Sequence, residues 1–185
     1  AAVGLDRCHA PDGADALGEY RLGELSAAMA ALGVTDFVRL GGDHRFRDSG
    51  MAWAPDGTAT VADATREDSF HAADLLLAAN ELVAVIRGRR PQVLITYDEF
   101  GGYGHPDHVQ AHRVATYAAA LAAVPSHRPD LGEAWQVERM LWMAMSHSQI
   151  AAAVSALSEQ GLADVVDGMP TDPEAPMLSS DEEIS

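Results

Sequence analysis

Cysteine, aromatic residues and cations are all scarce in this chain. Cys8 stands alone, so no intramolecular disulfide can form and nothing calls for an oxidising compartment. Aromatics are 6% of residues against 48% hydrophobic in all, which leaves Ala, Leu and Val to build the core. Twelve Lys and Arg face 28 Asp and Glu, a formal charge of −16. So acidic a chain lacks the cationic face that displaces counterions from nucleic acid, and an anionic bilayer repels it. There is no apolar run of about 18 residues to span a membrane and no basic leader with an apolar h-region. Also absent are a Gly-x-Gly-x-x-Gly or Walker-type loop for nucleotides and a Gly-x-Ser-x-Gly elbow for serine hydrolysis. These absences predict a soluble, cytoplasmic protein with neither nucleic acid nor membrane as partner.

What is present is an alternation of helix and strand patterns within a length that suits one domain, residues 1–185. Residues 1–13 read as loop. Residues 14–32 have helical spacing of Leu17, Tyr20, Leu25, Met29 and Leu32, with Gly33 as the stop. Residues 34–40 read as a strand, and 41–66 as a long polar loop. A helix is predicted over 69–87, a strand over 92–97, a helix over 106–123 opened by Pro106, a strand over 137–145 and a helix over 149–158. The Pro- and acid-rich residues after Asp167 read as loosely ordered. Strands alternating with helices predict an α/β fold, a Rossmann-like parallel sheet with helices on both faces.

The segment Gly101-Gly102-Tyr103-Gly104-His105-Pro106-Asp107-His108 carries most of the chemistry. It lies beyond the carboxyl end of a predicted strand, where open α/β domains bind ligands. Its glycines permit a sharp loop, and two imidazoles with a carboxylate fall at a helix start. His108, with His105 beside it, suits a metal ligand in that loop; three or four N, O or S donors make a zinc site. His112 reads as packing or solvent-facing. Asp107 can orient an imidazole or serve as a helix N-terminal carboxylate, and both can hold. Tyr103 can donate to an oxyanion or cover the core. Arg21 and the loop Arg45-Phe46-Arg47-Asp48-Ser49-Gly50-Met51 form the other polar cluster, either a grip for sugar hydroxyls or solvated loop charge.

These residues resemble the zinc-dependent N-deacetylase family of the GPI-pathway (PIG-L/LmbE-like) type, in its mycothiol branch. Tyr20-Arg21-Leu22-Gly23-Glu24-Leu25, Gly41-Gly42 and Arg47-Asp48-Ser49-Gly50-Met51 extend the likeness beyond the signature. The resemblance implies a Rossmann-like domain that removes the N-acetyl group from a glucosaminyl-inositol, with zinc as cofactor and ligand types that also accept iron. By the same resemblance His108 is the zinc ligand, His105 the proton donor with Asp107 tuning it, and Tyr103 the tyrosine that assists the tetrahedral intermediate. Arg21 and Asp48 hold the inositol end of the substrate. The family's first signature, His-Pro-Asp-Asp, is not found; Asp12 after Pro11 has the wrong context. That segment supplies two zinc ligands and the general base, so the chain is expected to be internal to a longer enzyme, incomplete at both ends, and inactive by itself. Two alternatives are an amidase acting on mycothiol S-conjugates and a non-catalytic sugar- or inositol-binding module.

Overall fold

A computed structural model describes residues 16–55, 58–63, 67–166, 172, 175 and 178–184. Residues 1–13, read as loop from sequence, lie outside this set, as do Cys8 and Asp12. The chain forms two compact units, Ala1–Arg45 and Phe46–Ser185.

In the first unit, helix α1 spans Ala16–Leu32. His44 Nε2 lies 3.1 Å from the Glu19 carboxylate, and Arg39 pairs with Asp43 at 3.6 Å. The strand expected over 34–40 is not formed: no described residue there enters a ladder. Val34, Thr35 and Val38 give the run a strand-like composition, but composition makes a strand only where a neighbour takes up its N–H and C=O groups.

The second unit begins with an element that the sequence pattern did not suggest. Within the expected 41–66 loop, β1 (Ala52–Trp53) and β2 (Ala59–Thr60) pair antiparallel as a small hairpin. Two-residue strands are too short for an alternation to be visible. Helix α2 follows at Leu75–Arg89, starting later than expected because Asp74 is its N-cap, its carboxylate accepting from Leu77 N at 2.8 Å. Residues 68–71 instead strap the loop before the hairpin, through Arg47 N to Asp68 O (3.1 Å) and Phe70 N to Arg47 O (2.8 Å).

Strand β3 (Val93–Tyr97), helix α3 (Pro106–Ala122) and strand β4 (Arg139–Met143) make the β-α-β unit that positions the site. The strands pair parallel with Val93 opposite Arg139 and Tyr97 opposite Met143. The α/β class and the parallel ladder are therefore as expected. The core lies between α2 and α3: Ala79, Val83, Ile86, Ala118 and Ala122 are buried with Val137, and Leu82, Leu94, Leu121 and Trp135 pack around them. Alanines at the contact let the two helices approach closely, and each larger aliphatic side chain buried there contributes about 1.5–3 kcal/mol. On the other face of the strand pair Val93, Ile95, Leu141 and Met143 are 44–65% exposed.

Helix α4 (His147–Glu159) is capped by Ser146, whose hydroxyl accepts from Gln149 N. Among the described residues of the tail, 178–181 dock at this helix start. Ser179 N donates to Met145 O, His147 N donates to Ser179 O, and Ser146 Oγ donates to the Asp181 carboxylate. The hydroxyls of Ser146 and then Ser148 hold the Asp181 carboxyl below its usual range. No helix among the described residues is long and apolar enough to cross a membrane.

Candidate metal and catalytic site

The loop between β3 and α3 is shaped by Asp98 and by two glycines that no other residue replaces without a shift. The Asp98 carbonyl accepts from Gly101 N (3.1 Å) and its carboxylate accepts from Gly102 N (2.7 Å). Gly101 has φ +70°, and a Cβ there would stand 2.7 Å from Val109 N and 3.0 Å from His108 Cβ. Gly104 has φ +93°, and its Cβ would meet the Ala59 carbonyl at 2.7 Å. Ala59 N also donates to Tyr103 O at 2.8 Å. The loop is thus gripped between the start of α3 and the β1–β2 hairpin.

Hydrogen bonding assigns the two imidazoles opposite tautomers. His108 Nδ1 lies 3.2 Å from the Gly101 carbonyl, which can only accept, so Nδ1 carries the proton and the Nε2 lone pair remains available. His105 is the N-cap of α3, and its Nδ1 accepts from Asp107 N at 3.2 Å. The neutral His105 ring therefore carries its proton on Nε2. The rings lie 4.7 Å apart, one offering a bare nitrogen and the other an N–H. His108 stacks on Tyr97 with ring centroids 3.9 Å apart and the planes nearly parallel. Burial lowers the His108 pKa, opposed by its bond to Gly101 and reinforced by His105, which favours the neutral ring that ligates metals. Tyr103 stands edge-on to both, 5.2 Å from His108 and 6.0 Å from His105 between ring centroids.

Gly101→Ala is accordingly expected to lose about 1–2 kcal/mol from the left-handed backbone alone and to push His108 out of register. Denaturant titration measures the first effect. Imidazole nitrogen NMR reads the second, and a His108 ring that keeps its Nδ1–H signature in the variant would refute the steric account.

Asp48, His105 and Asp107 each bring one donor atom into a group whose members all lie within 4.8 Å of one another, close enough to hold a metal ion. Their hydrogen bonds divide the labour more finely. Asp107 Oδ2 accepts from Ser49 N (2.9 Å), while Oδ1 accepts from Ser49 Oγ and from His71 N (2.9 Å). Its carboxylate faces the 47–50 loop and touches neither imidazole through a hydrogen bond, in contrast to the direct tuning of His105 that the sequence suggested. The Asp48 carboxylate is exposed and accepts only from Gly50 N (2.8 Å) among these bonds. As a donor set, Asp48, His105 and Asp107 fit a divalent metal of the zinc or iron type, while His108, whose Nε2 is free, is not a member of that group.

Of the sequence-derived candidates, Asp48, Tyr103, His105, Asp107 and His108 come together here. Arg21 belongs to the first unit, exposed on α1 with its Nε 3.5 Å from Glu24. His112 is a packing residue: Nδ1 donates to Tyr97 O at 2.9 Å and its ring meets Trp142 edge-on. Two participants went unrecognised. Ser49 lay in a segment quoted for its charges, and its burial to 6% has no local signal. His71 contributes its backbone N–H, and its Nδ1 is buried with no hydrogen-bond partner among the described residues.

Comparison with known proteins bears on the same segments. The family model for PIG-L, GlcNAc-PI de-N-acetylase, matches residues 5–119. A 1D-myo-inositol 2-acetamido-2-deoxy-alpha-D-glucopyranoside deacetylase of Nocardioides sp. is 59% identical over 177 residues, 95% of this chain and 59% of its own. The protein of the same name from Kribbella flavida is 56% identical over 173 residues, covering 93% of this chain and 57% of its own. The one from Geodermatophilus obscurus is 51% identical over 152 residues, 82% of this chain and 49% of its own. The chain thus spans roughly half to three fifths of the length of these relatives.

Proposed function

This chain belongs to the PIG-L, GlcNAc-PI de-N-acetylase family, and from that premise we propose that it carries the proton-handling part of a metal-dependent site that removes the acetyl group from an N-acetylglucosaminyl-inositol. The observation that carries the reading is the pair of oppositely protonated imidazoles at the start of α3, with Tyr103 beside both. The names of the relatives supply the substrate class.

His108 Nε2 is the metal ligand in this reading. A divalent metal, zinc or iron, supplies a water of lowered pKa and polarises the amide carbonyl when bound. His105 Nε2–H donates a hydrogen bond to the developing oxyanion, and the proton that the general base takes from water passes to the departing amine. Tyr103 donates its hydroxyl proton to the same oxygen as the carbonyl carbon becomes tetrahedral. Asp48 accepts from substrate hydroxyls. Asp107, its oxygens engaged by Ser49 and His71, positions His105 by fixing the first turn of α3. It is poorly placed to take a proton from water, so the general base is a different carboxylate.

The test is a chimera in which this chain replaces the corresponding segment of the Nocardioides relative. Acetate release from N-acetylglucosaminyl-inositol is expected, in preference to cleavage of a mycothiol S-conjugate. His108→Ala should lower it by more than the ~10–100-fold typical of residues that only support a ligand. A folded chimera that leaves the acetylated sugar untouched defeats the proposal.

A further inference from the structure

An indole stands beside the reactive loop with most of its surface in solvent. Trp53, on β1, is 61% exposed, whereas Trp135 packs against the core with its Nε1 donating to Pro91 O. An isolated exposed aromatic needs no explanation, but this one is held in place. Its ring centroid lies 6.1 Å from that of Tyr103, with the planes inclined by 31°. The hairpin that bears it is closed by Ala54 N to Thr58 O (2.9 Å) and fastened to the loop by Ala59 N to Tyr103 O (2.8 Å). Gly104 packs so closely on the Ala59 carbonyl that a Cβ there would stand 2.7 Å from it. The position of Trp53 is therefore set by the same backbone that sets Tyr103.

A pyranose ring presents a rim of hydroxyls and a face of C–H bonds. The rim needs hydrogen-bond partners, and the face is best covered by a flat, polarisable aromatic surface. Asp48 offers an exposed acceptor five residues before Trp53 in the chain. Trp53 offers the surface. We infer that Trp53 is a stacking platform for the pyranose ring that bears the acetamide. The pyranose is favoured over the cyclitol because the acetamide is attached directly to it, so a carbonyl within reach of Tyr103 and His105 places that ring next to them. The cyclitol lies one glycosidic bond further out. The inference rests on the deacetylase reading and adds the residue that recognises the sugar face.

The test titrates the 185-residue protein, with nitrogen-15 in its indoles and backbone, with methyl 2-acetamido-2-deoxy-α-D-glucopyranoside and, separately, with myo-inositol. The glucoside is expected to move the Trp53 indole signal, assigned by its loss in Trp53→Phe, and to leave that of Trp135 in place. Trp53→Ala should weaken binding by about 5- to 10-fold, and Trp53→Phe by no more than about 3-fold. Because the side chain is exposed, both variants should keep the wild-type backbone amide spectrum. Equal affinity in Trp53→Ala, or a glucoside that moves Tyr103 and His105 but not Trp53, overturns the platform and leaves the deacetylase reading standing. A Trp53 signal that answers to myo-inositol and not to the glucoside overturns the assignment of the ring. A glucoside that moves none of the three counts against the deacetylase reading and removes the platform with it.

Discussion

Arg87→Ala is expected to cost about 3–5 kcal/mol of folding stability, a large share of the roughly 5–15 kcal/mol that holds a typical domain together. Arg87 is 3% exposed as a residue, and its guanidinium has no carboxylate among its hydrogen-bond partners. Instead it donates to five backbone carbonyls: Nε to Ala122 (3.1 Å), Nη1 to Arg128 (2.8 Å) and Gly132 (3.2 Å), and Nη2 to Leu121 (3.3 Å) and Val124 (2.9 Å). Leu121 and Ala122 lie in the last turn of α3, where carbonyls have no intrahelical partner and the helix dipole is negative. One side chain on α2 thus closes the end of α3 and gathers the connection that leads to β4. Truncation leaves several buried acceptors without a donor, which costs far more than the net worth of the bonds themselves. Arg87→Lys keeps the charge but not the planar fork, and should recover less than half of the loss. Urea titration with an unchanged slope measures both variants. A loss below about 1 kcal/mol in Arg87→Ala would show that water or a rearranged loop satisfies those carbonyls, and would sink the account.

Arg87 also marks where sequence reasoning stops. In the helical pattern of 69–87 it reads as one more surface cation, because periodicity ranks residues by polarity and cannot see carbonyls gathered from 34 to 45 positions later. The β3-loop-α3 segment was legible for the opposite reason. Its determinants are local: Pro106 at the first helical position, glycines at positive φ and an N-cap two residues from its donor. The same locality made α4 readable to within two residues, through the Ser146 cap. Residues 34–40 failed because a strand is defined by its neighbour, and no neighbour is written in the run itself. The Ser49–Asp107 contact joins residues 58 apart, and only the fold brings them together. What the sequence pattern offered was the list of chemical groups. The division of roles among them, with His108 free at Nε2, His105 protonated there and Asp107 turned toward Ser49, required the hydrogen bonds.

That division makes Asp107 the most discriminating site to change. If its carboxylate acted on His105 through charge alone, Asp107→Asn would be mild for the fold and costly only for catalysis. The geometry predicts otherwise. Three donors converge on the two oxygens: the Ser49 amide, the Ser49 hydroxyl and the His71 amide. An asparagine presents one acceptor and one NH2 group, so at least one backbone N–H must face another donor. Asp107→Asn is therefore expected to destabilise the protein by about 2–4 kcal/mol, nearly as much as Asp107→Ala, since both strand buried donors next to a group that was charged. The loss should be local before it is global. Amide exchange at Ser49 and His71 should rise by orders of magnitude while Val83 and Ile86 in the core keep their protection. Loosening the 47–50 loop also releases Asp48 from its place beside His105. Asp107→Glu is the control that separates the two views: it retains the charge but lengthens the arm, and on the steric account it rescues neither exchange nor stability. If Asn is tolerated within about 0.5 kcal/mol and exchange at Ser49 is unmoved, then water replaces the clasp and Asp107 acts through its charge after all.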